Sequence, residues 1–164
     1  MFFWFVGTAV LAVWYVFRDP RFDYRLLVVG ALLPELDAVF AWGAGMRWMH
    51  SLAFSVALLA VVMAVTAGRK PVRRLLLGLP IGTFLHLVFD GAWATTKVFW
   101  WPFGGWSFDG ARLPEAQRGW WNVLLEAIGI GIVVWIWRRQ HLADPARRRG
   151  VMRTGVLFPD PASR

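Results

Sequence analysis

Apolar positions in this chain fall in long unbroken blocks, without the alternation that marks half-buried strands. Five blocks stand out, at 2–17, 26–42, 51–67, 75–93 and 121–137, separated by segments that carry arginine, glycine and proline. A membrane-spanning helix needs about 20 predominantly apolar residues, within a range of about 17 to 25. The first block is slightly short, which places its terminal Phe and Trp side chains at the interface. It also lacks a basic leading region and a small-residue cleavage site before Tyr15-Val16-Phe17, so it reads as a retained helix and not as a cleaved signal. The pattern therefore predicts an all-α fold, a polytopic transmembrane bundle of five spans over residues 1–140, followed by a basic tail at 141–164.

Composition agrees with that class. Of 164 residues 58% are hydrophobic, with 12 Trp and 13 Phe, and only 17% are charged, against about 25% in soluble domains. There is no cysteine, which excludes disulfides and thiolate metal sites. The net charge of +8 has two possible meanings, and its distribution decides between them. Arg18, Arg21 and Arg25 follow the first block, and Arg69, Lys70, Arg73 and Arg74 follow the third. Arg138, Arg139, Arg147, Arg148, Arg149 and Arg153 follow the fifth. Positive charge flanking alternate spans reports orientation, with the N-terminus outside and the C-terminus cytoplasmic. It does not form the basic face of a soluble nucleic-acid binder, so membrane lipids and no nucleic acid are the expected partners. The expected location is the plasma (inner) membrane. The connection at 95–119 is too aromatic for a free linker. Its Trp100, Trp101, Phe103 and Trp106 are expected to cap the outer mouth of the bundle. The tail, with "ARRRG" and "PDPAS", reads as disordered.

The five-span arrangement places the rare ionisable residues. Glu35 and Asp37 lie in the outer half of the second span, and His50 and Ser51 stand at the outer entrance of the third. His86 and Asp90 mark the outer end of the fourth, and Glu126 sits about one and a half turns into the fifth. All share one depth. A charge near the bilayer centre costs at least about 2.5 kcal/mol, so such residues are normally paired and face the bundle interior. His86 and Asp90, four apart, share a helix face. Glu35 and Asp37, two apart, diverge by about 200° on an ideal helix, and Pro34 supplies a reason for a distortion there. Two imidazoles with carboxylates suit a divalent cation, Zn²⁺ first and Mn²⁺ or Fe²⁺ as alternatives. A spare carboxylate, Glu35 or Glu126, is then a candidate general base.

Four stretches in order resemble a known family. "GALLPELD", "RWMHSLAF", "GTFLHLVFD" and "WWPFGGWSF" are similar to the motifs of the YdjM-type, LexA-regulated membrane-bound metal-dependent hydrolases. The resemblance implies metal ligation by Asp37, His50, His86 and Asp90, with Glu35 at the family's first acidic position. Asp is common where Glu35 stands. Histidines that the family carries in the first helix and just before the His-Ser pair are absent from "WFVGTAV" and "GAGMRW". Glu126 is the candidate for a substitute ligand.

The expected function is that of an outward-facing divalent-metal site hydrolysing a lipid or lipid-linked ester or phosphoester. Glu35 and Ser51 are its candidate catalytic residues, with Glu35 as the base. Two alternatives are a transporter or ion-conducting protein and a non-catalytic membrane scaffold. A through-path would need ionisable groups in the inner halves of the spans, where only small hydroxyls such as Thr66 occur.

Overall fold

Helices form where the apolar blocks lie. The computed structural model describes residues 1–37, 47–108, 110–111 and 113–159. Among these, 73% of the chain is helical and there are no strands. Helix α1 runs Phe2–Phe17 and stops at Arg18, whose φ of 48° takes the backbone out of the helix. Asp23 caps α2 (Tyr24–Leu32) by accepting the Arg25 N–H at 2.9 Å. A tight turn at Leu33–Glu35, with Pro34 inside it, breaks the second apolar block. The remainder of that block, from residue 38, lies outside the described residues.

A turn at Trp48–His50 leads into α3 (Leu52–Val65). Helices α4 (Lys70–Leu76) and α5 (Gly78–Asp90) follow each other almost without a break. The interruption at Leu77 has a local cause, since Pro80 has no N–H to offer the carbonyl four residues earlier. Gly91, with φ of 64°, ends α5 immediately after Asp90 in the left-handed conformation that glycine adopts freely. A turn at Ala92–Ala94 and the short helices α6 (Thr96–Phe99) and α7 (Pro114–Arg118) precede α8 (Trp121–Arg139). Two helices, Lys70–Asp90 and Trp121–Arg139, are long and apolar enough to cross a membrane, and α1 and α3 are shorter apolar helices.

Glycine sets the closest helix contacts. A Cβ on Gly82 would stand 2.3 Å from the Leu27 carbonyl oxygen and 2.6 Å from the Ala31 nitrogen. One on Gly30 would stand 2.2 Å from the Leu79 carbonyl oxygen, and one on Gly78 would stand 2.8 Å from the Leu27 nitrogen. Gly78 and Gly82 are spaced as a small-xxx-small pair, the device that lets helix backbones touch where lipid removes the hydrophobic drive for association. Gly129 likewise brings α8 onto the backbone of Phe3 and Trp4.

Next to that contact, Glu126 accepts the N–H groups of Phe3 and Trp4, each at 3.1 Å. The first-turn donors of a helix have no intrahelical partner, so Glu126 serves as a cap for α1 delivered from another helix. Glu126→Ala is expected to cost about 0.5–2 kcal/mol, the usual loss for removing a helix cap. Thermal unfolding in detergent checks it, with Glu126→Gln expected to retain part of the loss.

The tail differs from the expectation of disorder. Asp144 caps a further helix, α9 (Pro145–Thr154), by accepting the Ala146 N–H. Gly155 then turns the chain back, and its carbonyl accepts the Tyr24 N–H at 2.9 Å. Leu157 and Phe158 are buried with Val10, Val13, Tyr24 and Leu27. Arg25 donates to the Met152 and Arg153 carbonyls and Arg147 to the Leu157 carbonyl, so polar contacts join the two apolar side chains in holding the segment down.

Candidate metal centre

The end of α5, the turn before α3 and the end of α2 converge on one buried cluster. His50 is 2% exposed, His86 1% and Asp90 0%. Each offers a ligand atom, and these atoms lie within 4.8 Å of one another. Donors held at about 2.1 Å around one Zn²⁺ ion stand about 3.4 Å apart in a tetrahedron, so closure needs shifts on the order of 1 Å.

Hydrogen bonding fixes what each group presents. His86 Nδ1 is 2.7 Å from the Ala31 carbonyl oxygen. A carbonyl only accepts, so Nδ1 carries the proton and Nε2 keeps its lone pair. His50 Nδ1 is 3.2 Å from Asp37 Oδ2, which also accepts the Met49 N–H at 2.9 Å. The same reasoning frees Nε2 of His50. Partners of this kind behind a ligating imidazole are characteristic of metal-binding histidines. The Phe5 ring packs on His86 with centroids 3.8 Å apart, and the two imidazoles lie edge to face at 5.2 Å.

Asp90 gives the test of fit. Its Oδ1 accepts from Arg118 at 3.2 Å, and the same guanidinium also reaches the Asp90 carbonyl. Its Oδ2 is buried and has no hydrogen-bond partner among the described residues. A buried carboxylate oxygen without a partner is costly. Beside two imidazoles with free Nε2 lone pairs, it makes a set that could hold a metal ion.

The other candidates sit elsewhere. Asp37 is buried but stands behind His50 instead of within the three-residue cluster. Glu35 is partly exposed and pairs with the Met1 ammonium at 3.0 Å, with Glu115 on the other side of that ammonium at 3.8 Å. Burial, and then the Glu35 carboxylate, push the Glu115 carboxyl above the usual carboxylate range. Ser51 donates to the Trp48 carbonyl at 2.6 Å and accepts the Phe54 N–H at 3.1 Å, so its hydroxyl is occupied in capping α3. Glu126 is at the α1–α8 contact described above.

Two neighbours of the cluster escape a reading of the sequence. Arg118 was visible only as one of the charges in a long connection, and nothing in its spacing points back 28 residues to Asp90. Phe5 lies in a helix with no acidic, basic or histidine residue. By contrast α6, which begins the aromatic connection, packs on the Trp48–His50 turn. Within that connection Trp101 stacks on Phe108 with centroids 5.7 Å apart, while Phe103 and Trp106 are 87% and 79% exposed.

Residues 4–157 match the YdjM inner membrane protein model. The chain belongs to the YdjM inner membrane protein family. Comparison with curated proteins and with solved structures finds no match. The YdjM match spans every residue of the cluster together with Asp37, Arg118 and the tail as far as Leu157, so the site residues lie inside the family's own extent.

Proposed function

We propose that this YdjM protein is a metal-dependent hydrolase whose His50, His86 and Asp90 hold one divalent cation, Zn²⁺ first and Mn²⁺ or Fe²⁺ as alternatives. The observation that carries the reading is the buried, unpartnered Asp90 Oδ2 beside two imidazoles whose Nδ1–H groups are already engaged. Three protein ligands with an open position is the arrangement of catalytic sites, whereas structural sites are closed by four. A cation bound there supplies Lewis-acid polarisation of a carbonyl or phosphoryl oxygen.

The chain's own residues have separate tasks in this reading. Asp37 holds His50 in one tautomer and orientation, and the Ala31 carbonyl does the same for His86. Arg118 fixes Asp90 and brings positive charge beside it. Glu35, the partly exposed carboxylate two residues before Asp37, is the proposed base. The substrate is a lipid or lipid-linked ester or phosphoester, reached under the aromatic connection. Five spans, with the N-terminus outside and the cluster in the outer leaflet of the inner membrane, complete the proposal. The second apolar block's break at Pro34 is accommodated in a polytopic bundle because irregular backbone is tolerated where protein covers it.

Turnover of a lipid ester or phosphoester by the purified protein tests the reading. Chelation should abolish turnover, and restoring Zn²⁺, Mn²⁺ or Fe²⁺ should recover it. Turnover indifferent to chelation would sink the proposal. Asp37→Asn should lower metal affinity about 10–100-fold while leaving the fold intact, as for other second partners of ligating histidines. A competition titration with a chromophoric chelator measures it.

A further inference from the structure

Helices α1, α3 and α5 leave a groove of about 440 Å³ between them, lined by apolar side chains with Ser55 among them. It begins beside the cluster, since Leu52 follows Ser51 and Leu85 precedes His86. It then runs away from the cluster past Leu59, Pro80 and Phe17. Along α3 alone this covers about 10 Å at 1.5 Å per residue.

Ser55 separates this groove from an ordinary lipid-facing surface. Its side chain is 4% exposed, and its Oγ is buried without a hydrogen-bond partner among the described residues. Hydroxyls inside apolar helices normally satisfy themselves on the carbonyl four residues earlier. Three threonines here do so: Thr8 on Trp4 at 2.6 Å, Thr66 on Val62 at 2.5 Å and Thr83 on Leu79 at 3.0 Å. Ser55 does not, although the Ser51 carbonyl stands at that spacing and takes the Ser55 N–H at 3.5 Å. Ser55 lines the groove with that hydroxyl unpaired, and an occupant that brings an acceptor gives it a partner once the side chain turns toward it.

A groove with one polar point near the cluster and only apolar lining beyond has the complementarity of a lipid. We infer that it seats one hydrocarbon chain of a membrane lipid, with an ester or phosphate oxygen of that lipid accepting from Ser55. Apolar burial alone gives no preference over bulk lipid tails inside a bilayer. Selectivity for a seated lipid therefore comes from Ser55 and from the cluster just beyond it. The inference rests on the proposed hydrolytic function only in treating this lipid as substrate.

The test uses the full chain in vesicles of phosphatidylethanolamine and phosphatidylglycerol, doped with phosphatidylethanolamine carrying a diazirine midway along one acyl chain. After illumination, mass spectrometry compares labelling of Leu59 and Phe84 with labelling of the exposed α8 residues Ile128, Ile130 and Val134. Groove residues should be labelled several-fold more than those on α8. Val56→Trp, at a rim position that is 55% exposed, should cut groove labelling several-fold and leave α8 labelling and metal content unchanged. Leu59→Trp, read at Phe84, gives the same reading from a second rim position. Equal labelling of groove and α8 means surrounding lipid only, and overturns the inference. So does groove labelling that neither tryptophan reduces. Groove labelling in a protein that binds no metal would defeat the hydrolase reading and leave the lipid seat standing. Turnover of a short-chain soluble ester without groove labelling would do the reverse.

Discussion

A His86→Ala protein is expected to bind divalent metal more than about 100-fold more weakly than the parent, since loss of a second partner alone costs about 10–100-fold. The reason is geometric. His86 is one of three groups whose ligand atoms lie within 4.8 Å, and its Nε2 is free because Nδ1 is spent on Ala31. Truncating a ring packed against Phe5 also opens a cavity, at a cost of about 2–5 kcal/mol by analogy with other large-to-alanine changes. His86→Gln, which keeps most of the volume, separates the two effects. Metal content by elemental analysis, read beside thermal unfolding, should show both variants metal-poor and only the alanine variant strongly destabilised. Parental metal content in both would place the ion elsewhere.

Gly82→Val is expected to prevent α2 and α5 from meeting. Its Cβ would fall 2.3 Å from the Leu27 carbonyl oxygen and 2.6 Å from the Ala31 nitrogen. These are backbone atoms, so no side-chain rotation relieves the clash and one helix must move. Overpacking against mobile side chains costs about 1–3 kcal/mol, and this contact should exceed that range. Movement of α2 also withdraws the Ala31 carbonyl from His86, so whatever protein folds should be poor in metal. Size-exclusion behaviour in detergent and elemental analysis report the two consequences. A folded, metal-replete Gly82→Val protein would show that the close crossing is dispensable.

The sequence exposed the framework of this site more readily than its wiring. Long apolar blocks marked the helices, because a chain with so few charges has no alternation to offer. The four-residue spacing of His86 and Asp90 put both on one face of a helix that does form. Pro34 was readable as a break, and a tight turn stands there. Partner choice was less accessible, because hydrogen bonds within the bundle join residues far apart in sequence. Depth alone grouped Glu126 with the histidines, whereas its carboxylate caps α1 on the backbone of Phe3 and Trp4. Arg118 comes to Asp90 through a long connection with no periodicity to follow. The docked tail was hidden because Leu157 and Phe158 are only two apolar residues in a polar stretch.

Asp37 connects the two levels. Its place in an apolar run signalled a paired carboxylate, and the structure gives the pair as His50 Nδ1 and the Met49 N–H. The residue therefore serves the proposed site from behind an imidazole. This also separates it from Asp90, whose Oδ2 is left without a partner among the described residues.

Anomalous difference density from crystals of the Zn²⁺-loaded protein tests the proposed metal site most directly. The expected result is one peak within about 2.0–2.3 Å of His50 Nε2, His86 Nε2 and an Asp90 carboxylate oxygen, with Asp37 still bonded to His50 Nδ1. A peak bound only by residues outside that cluster, or none at full zinc loading, would contradict it.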